Sequence, residues 1–337
     1  MAARMWWLAT LVLLVLLAFL AVGYGALHYM TGVPGRSHRG PLPALTDEEM
    51  ALAASLKLHI ASIAAREHNI AHYDELEKVA RHIEATLASF GYAVGRQEFS
   101  ADGRLVRNID AAIEPPAEKP DPEVIVVGAH YDSAPGTPGA NDNGSGAAAV
   151  IELARLLRDL DRKSGKRIRF VLFVNEEPPY FMTEAMGSLR YARALAERRE
   201  RVVAMYSLET IGFYSSEPGS QHYPAPFGLI YPDRGDFIAF VGMLGSRPLL
   251  QETLRSFRAH TAFPSIGGVA PGFIPGIAWS DHWSFAEHGF QAVMVTDTAL
   301  FRYPHYHLPS DTPDKVDSEQ LARVVKGIER VVRDLAR

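Results

Sequence analysis

Apolar positions along this chain follow three patterns. The first is one long run: residues 5–27 carry no charge and are mostly Leu, Ala, Val and Trp. A helix of that length can cross a hydrocarbon core. Signal-peptide cores are shorter, about 7–15 residues, so length favours an uncleaved anchor. A cleaved signal would use Ala21-Val22-Gly23. Arg4 precedes the run, and Arg36 and Arg39 come after it. Charge therefore says little about direction, and a cytoplasmic N-terminus rests on this being the first span. The expected organisation is a short cytoplasmic end at 1–4, an anchor or signal at 5–28, a Gly/Pro/Ser-rich linker at 29–45 and one domain over 46–337, on the extracytoplasmic side.

The second pattern repeats every three or four residues, as helices require. Thr46, with Glu49 three positions on, reads as a capping box opening a helix to about His68. A second helix fits 73–90, with Leu76, Val79, Ala80, Ile83 and Leu87 on one stripe and Gly91 as its stop. Residues 145–160 and 188–199 are further candidates. Between them, residues 93–113 read as two strands around the turn at Ala101-Asp102-Gly103.

The third pattern is a set of short, continuous apolar runs: EVIVVG (123–128), RIRFVLFV (167–174), RVVAMYSL (201–208) and FQAVMV (290–295). Strands apolar on both faces, alternating with helices, predict an α/β three-layer sandwich with a mostly parallel central sheet and helices on both sides.

The residues just past these strands carry the candidate chemistry. The first strand leads into His130, Tyr131 and Asp132, the second into Asn175, Glu176 and Glu177, and the third into Glu209. Ligands in such sheets bind beyond the carboxyl ends of the strands. Carboxylates gathered there repel one another unless a cation is shared among them, so the pattern points to a metal site. The chain has no cysteine, which leaves His, Asp and Glu as ligands and excludes disulfides and a thiol nucleophile. Its 337 residues are enough for one large domain, and the net charge of -5 gives no footing for a nucleic-acid partner.

Seven ordered pieces resemble the M28 family of zinc peptidases: GAHYDS (128–133), GANDNGSG (139–146), FVNEE (173–177), MGS (186–188), SLETIG (207–212), SDHWSF (280–285) and YHLPSDT (306–312). The resemblance implies two zinc ions and a peptide substrate. His130 and Glu209 would hold one ion, Glu177 and His307 the other, and Asp142 would bridge them. Glu176 would be the general base, moving a proton from the attacking water to the leaving amine. Asp132 lies two residues past His130, on the same face if the strand continues; it would accept the second imidazole N–H of His130, or is a simple loop carboxylate. Tyr306 matches a tyrosine that donates to the oxyanion, or is an aromatic packed beside the ligand. Arg302 would pair with a substrate carboxylate, or form a surface salt bridge. Asp281 and His282 read as scaffold. Position 209 departs from the family, which has Asp there; the extra methylene of Glu shifts the ion or the backbone. The implied activity is an aminopeptidase. The alternatives are a glutaminyl cyclase-like acyltransferase, disfavoured because Tyr306 stands where cyclases often carry Trp, and a non-catalytic receptor of the same fold, disfavoured because all five ligands and Glu176 are present. Loops 178–186 and 214–227 are the expected pocket walls.

Overall fold

Eight strands form one sheet in the order β1-β2-β4-β3-β5-β8-β6-β7. The computed structural model describes residues 2–118 and 121–337. The strands are β1 (Gly95–Ala101), β2 (Arg104–Ile113), β3 (Val124–His130), β4 (Arg167–Phe173), β5 (Val202–Glu209), β6 (Ile238–Met243), β7 (Ser265–Ala270) and β8 (Ala292–Thr296). The centre is parallel, β4 with β3, β3 with β5 and β5 with β8, and the antiparallel pairings flank it. All seven residues of β3 are buried, as expected for a strand covered on both faces.

The period of two in β3 separates the two cores. Ile125, Val127 and Ala129 enter the larger cluster, while Val124 and Val126 enter the smaller one. The larger core is closed by α2 (Asp47–Ile63), α3 (Tyr73–Ser89), α4 (Gly146–Leu156), α6 (Arg247–His260) and α8 (Ser318–Leu335). The smaller is closed by α5 (Gly187–Glu197) and α7 (His282–Glu287), through Tyr191, Leu195 and Phe285. The α/β three-layer architecture is therefore as the sequence implies. The Thr46–Glu49 capping box is also present, with Thr46 accepting from the Glu49 amide and Glu49 accepting in return.

Helix α1 (Ala2–Thr31) is solvent-exposed and apolar, with a mean hydropathy of 2.6 over its most apolar window. It is long enough to cross a membrane, as an anchor or as a signal sequence. Residues 32–37, within the stretch expected as a linker, lie along the domain. Arg258 donates to Pro34 O at 2.7 Å, and the Ser265 amide donates to Ser37 Oγ at 2.8 Å.

Helix α8 lies against α6 at Gly327, where an added Cβ would come within 2.2 Å of the Phe257 ring. That ring is fully buried and packed edge-on against Phe240, so it has nowhere to go. Overpacking costs about 1–3 kcal/mol, against roughly 1 kcal/mol of helix propensity gained from Ala. Gly327→Ala is expected to lower the melting temperature; a thermal melt showing stabilisation would contradict this packing.

Candidate metal centre

The sheet order β4-β3-β5 puts three strand ends side by side. His130 is the last residue of β3 and Glu209 the last of β5. Glu176 and Glu177 come three and four residues after β4. Asp142 comes from the loop between β3 and α4, and His307 from the segment after β8. The chain thus converges on one edge from five directions.

Two candidate ligand sets result, and they share Asp142. His130 Nε2 is 3.4 Å from Asp142 Oδ1 and 3.5 Å from Glu209 Oε2. His307 Nε2 is 3.0 Å from Asp142 Oδ2 and 3.3 Å from Glu177 Oε2. Each set keeps its donor atoms within 4.8 Å of one another. Glu176 stands beside the first set, its Oε2 3.8 Å from His130 Nε2. Except for the half-buried His307, these residues are buried.

The electrostatics describe a space built for positive charge. Burial raises the carboxyls of Glu176 and Glu209, and lifts Glu177 to about 8 with help from neighbouring Asp142. Burial also acts against Asp142, but the imidazoles of His130 and His307 beside it hold it low. His307 is driven up to about 10: desolvation opposes its charge, and Asp142 and Glu177 outweigh that. Buried His130 Nε2, Asp142 Oδ2 and Glu177 Oε1 have no hydrogen-bond partner of good geometry. Buried polar atoms without partners are rare. Three of them in one cluster, all nitrogen or oxygen donors, fit divalent metal of the zinc type.

Backbone strain accompanies this convergence. Asn175, Thr210 and His307 have φ of 61°, 47° and 53°, in the left-handed region that costs non-glycine residues energy, a β-branched one most. Each is a ligand or lies one or two residues from one. Asn143 helps hold Thr210 there: its Oδ1 accepts from the Thr210 amide and its Nδ2 donates to Leu208 O.

Two expected roles change. The Asp132 carboxylate is 3.7 Å from His130 Nδ1, which instead lies 3.0 Å from the Asp132 backbone carbonyl. The carboxylate accepts the amides of Glu176 and Glu177 at 3.1 and 3.2 Å, so it positions the loop that carries both glutamates. Arg302 is not brought to the site. Its buried guanidinium donates to Gln221 Oε1 and to the carbonyls of Phe213 and Phe237, and lies over the Phe237 ring. It braces a loop and is neither a surface ion pair nor a partner for a carboxylate. Tyr306 stacks on His307 at 3.9 Å and joins Glu209 in the wall of an apolar cavity. Loop 214–227 contributes Tyr223, Pro224 and Phe227 to that cavity, whereas loop 178–186 does not line it.

Two further residues emerge. Asp311 accepts the amides of Asn141 and Asp142 at 2.8 and 3.1 Å and the Tyr303 hydroxyl at 2.7 Å, fixing the backbone under the shared carboxylate. Ser280 donates to Glu209 Oε2 at 2.8 Å and is itself bonded to Ser207. That bond fixes the extra methylene of Glu209. Both residues lie in the quoted pieces SDHWSF and YHLPSDT, which was the available signal.

Residues 108–332 match the family model described as "Peptidase family M28". The chain belongs to peptidase family M28. It is 40% identical over 264 residues to the uncharacterized protein YfbL of Escherichia coli, covering 76% of this chain and 79% of YfbL. It is 30% identical over 219 residues to aminopeptidase YwaD of Bacillus subtilis, covering 62% of this chain but only 40% of YwaD. Among solved structures, a zinc aminopeptidase from Bacillus subtilis superposes with a TM-score of 0.56 at 26% identity, over 70% of this chain and 51% of that one. As an M28 member the chain is a peptidase by family.

Removing the brace under Asp142 tests the centre. Outer partners of metal ligands are typically worth 10–100-fold in metal affinity. Asp311→Ala is expected to weaken divalent-metal binding by about that factor, measured by competition with a chromogenic chelator. Unchanged affinity would mean that Asp142 needs no support.

Proposed function

We propose that this chain is a zinc-dependent aminopeptidase holding two zinc ions, one by His130 and Glu209, one by Glu177 and His307, with Asp142 shared. The observation that carries this reading is the division of Asp142, one oxygen toward each histidine. Zinc bound there supplies the Lewis acidity that makes water nucleophilic at neutral pH and polarises a carbonyl.

The chain's own residues do the rest. Glu176 takes the proton of the attacking water and returns it to the leaving amine. Its buried carboxyl, raised further by Glu209 and Glu177, suits a group that must hold a proton between those steps. Tyr306 is half-buried, and burial keeps its phenol protonated. It is therefore a hydrogen-bond donor available to the oxyanion. The cavity that begins at Glu209 and Tyr306 is walled mainly by apolar groups, among them Val241, Ile266 and Met294. It suits an apolar side chain on the residue whose free amine would lie near Glu209. The names of YwaD and of the Bacillus subtilis structure support the aminopeptidase reading. We take α1 as an uncleaved anchor that keeps the domain on the extracytoplasmic side.

Glu176→Gln keeps size and polarity but cannot accept a proton. It is expected to lower kcat on leucyl-p-nitroanilide by about 10²–10⁴-fold while the zinc content stays that of the wild type. Wild-type turnover by this variant would remove Glu176 from the mechanism. Dialysis against a chelator should abolish hydrolysis, and added zinc should restore it. One zinc per chain at full activity would count against the paired site.

A further inference from the structure

The apolar cavity has a wall that comes from outside the sandwich. Met30, in the last turn of α1, lines it together with Tyr231, Ile266 and Gly268. The helix end lies so close to β7 that a Cβ on Gly268 would be 2.8 Å from the Met30 carbonyl; only glycine permits that approach. Carbonyls at a helix C-terminus need outside donors, and the domain provides them. Arg247 donates to Tyr29 O at 2.9 Å with its guanidinium 4.5 Å above the Tyr29 ring, and Gln251 donates to Gly32 O at 3.2 Å. These bonds fix α1 relative to the pocket.

A second observation concerns the surface around this junction. Leu229 is 90% exposed and Phe273 87%, with Ile230 and Leu244 also exposed. All lie close in sequence to the junction. Leu229 and Ile230 immediately precede Tyr231, whose hydroxyl donates to Gly267 O. Phe273 comes three residues after β7, and Leu244 precedes Arg247 by three. Clustered exposed apolar side chains mark an interaction surface. The helix that ends at this junction identifies the occupant: α1 is itself exposed, apolar and long enough to cross a membrane.

We propose that the mouth of the cavity is seated on the membrane, with Leu229 and Phe273 in the lipid interface and Met30 a specificity-determining part of the wall, so that the site takes peptides whose apolar N-terminal residue lies at the bilayer surface. This deepens the aminopeptidase reading and rests on it for the substrate.

The cysteine-free chain allows a direct test. Leu229→Cys and Phe273→Cys, with Ser89→Cys at the exposed end of α3 as the control, are spin-labelled in the full chain in phosphatidylcholine/phosphatidylglycerol nanodiscs. Labels at 229 and 273 are expected to collide more with oxygen than with an aqueous nickel complex, and the label at 89 the reverse. Equal aqueous accessibility at all three would overturn the seating. Met30→Trp tests the wall: narrowing an apolar pocket changes discrimination by about 10–200-fold. The leucyl-to-alanyl ratio of kcat/KM is expected to fall at least roughly tenfold, chiefly through KM, and Met30→Leu to restore it. An unchanged ratio would overturn the role of Met30. Failure of the wild-type chain to hydrolyse either substrate would overturn the peptidase reading alone, because the labels report seating without turnover.

Discussion

Asp142, Glu176, Glu177 and Glu209 are held together in a buried space where at most two imidazoles oppose them, and much of the structure around the site results from that crowding. Like charges at this range, out of water, cannot all stay ionised. A divalent cation among them removes the conflict. The neighbouring architecture keeps the acids from moving apart. Asp132 holds the two glutamates by their amides, Asp311 holds Asp142 by its own, and Ser280 holds Glu209 by an oxygen. The left-handed residues at 175 and 210 persist because the bonds of Asp132 beside one and of Asn143 to the other over-determine the backbone.

The candidate ligands are legible in the sequence because they sit in short pieces whose order is characteristic, at or near the ends of strands whose apolar runs are unbroken. Their braces are harder to read. Asp311 and Asp142 are 169 positions apart, and no local spacing ties them together. Strand periodicity pairs Asp132 with the wrong partner, because residues two apart on a strand share a face and that regularity ends with β3 at His130. Charge alone points Arg302 toward a carboxylate, and its burial depends on Gln221 and Phe237, distant in the chain.

The fold divides in the same way. Strands β3, β4, β5 and β8 stand out as apolar runs. Strand β7 carries two adjacent glycines, which weaken any strand signal. Helix α8 is absent from the sequence expectations although Leu321, Val324, Val325, Ile328, Val331 and Val332 repeat at helical spacing and are buried. Its register is readable from that spacing; its packing against α2 and α6 is not.

The junction with α1 also bears on the sheet itself. Strand β7 is the last in the order, and an outermost strand offers unpaired backbone groups to any passing strand. At its first residue those groups are occupied: the Ser265 amide donates to Ser37, and its carbonyl accepts from Arg258. The opposite edge, β1, is guarded differently, by Arg96, Gln97 and Glu98. The segment leaving α1 thus shields a sheet edge from association with other chains. A form trimmed before residue 38 would lose that cover.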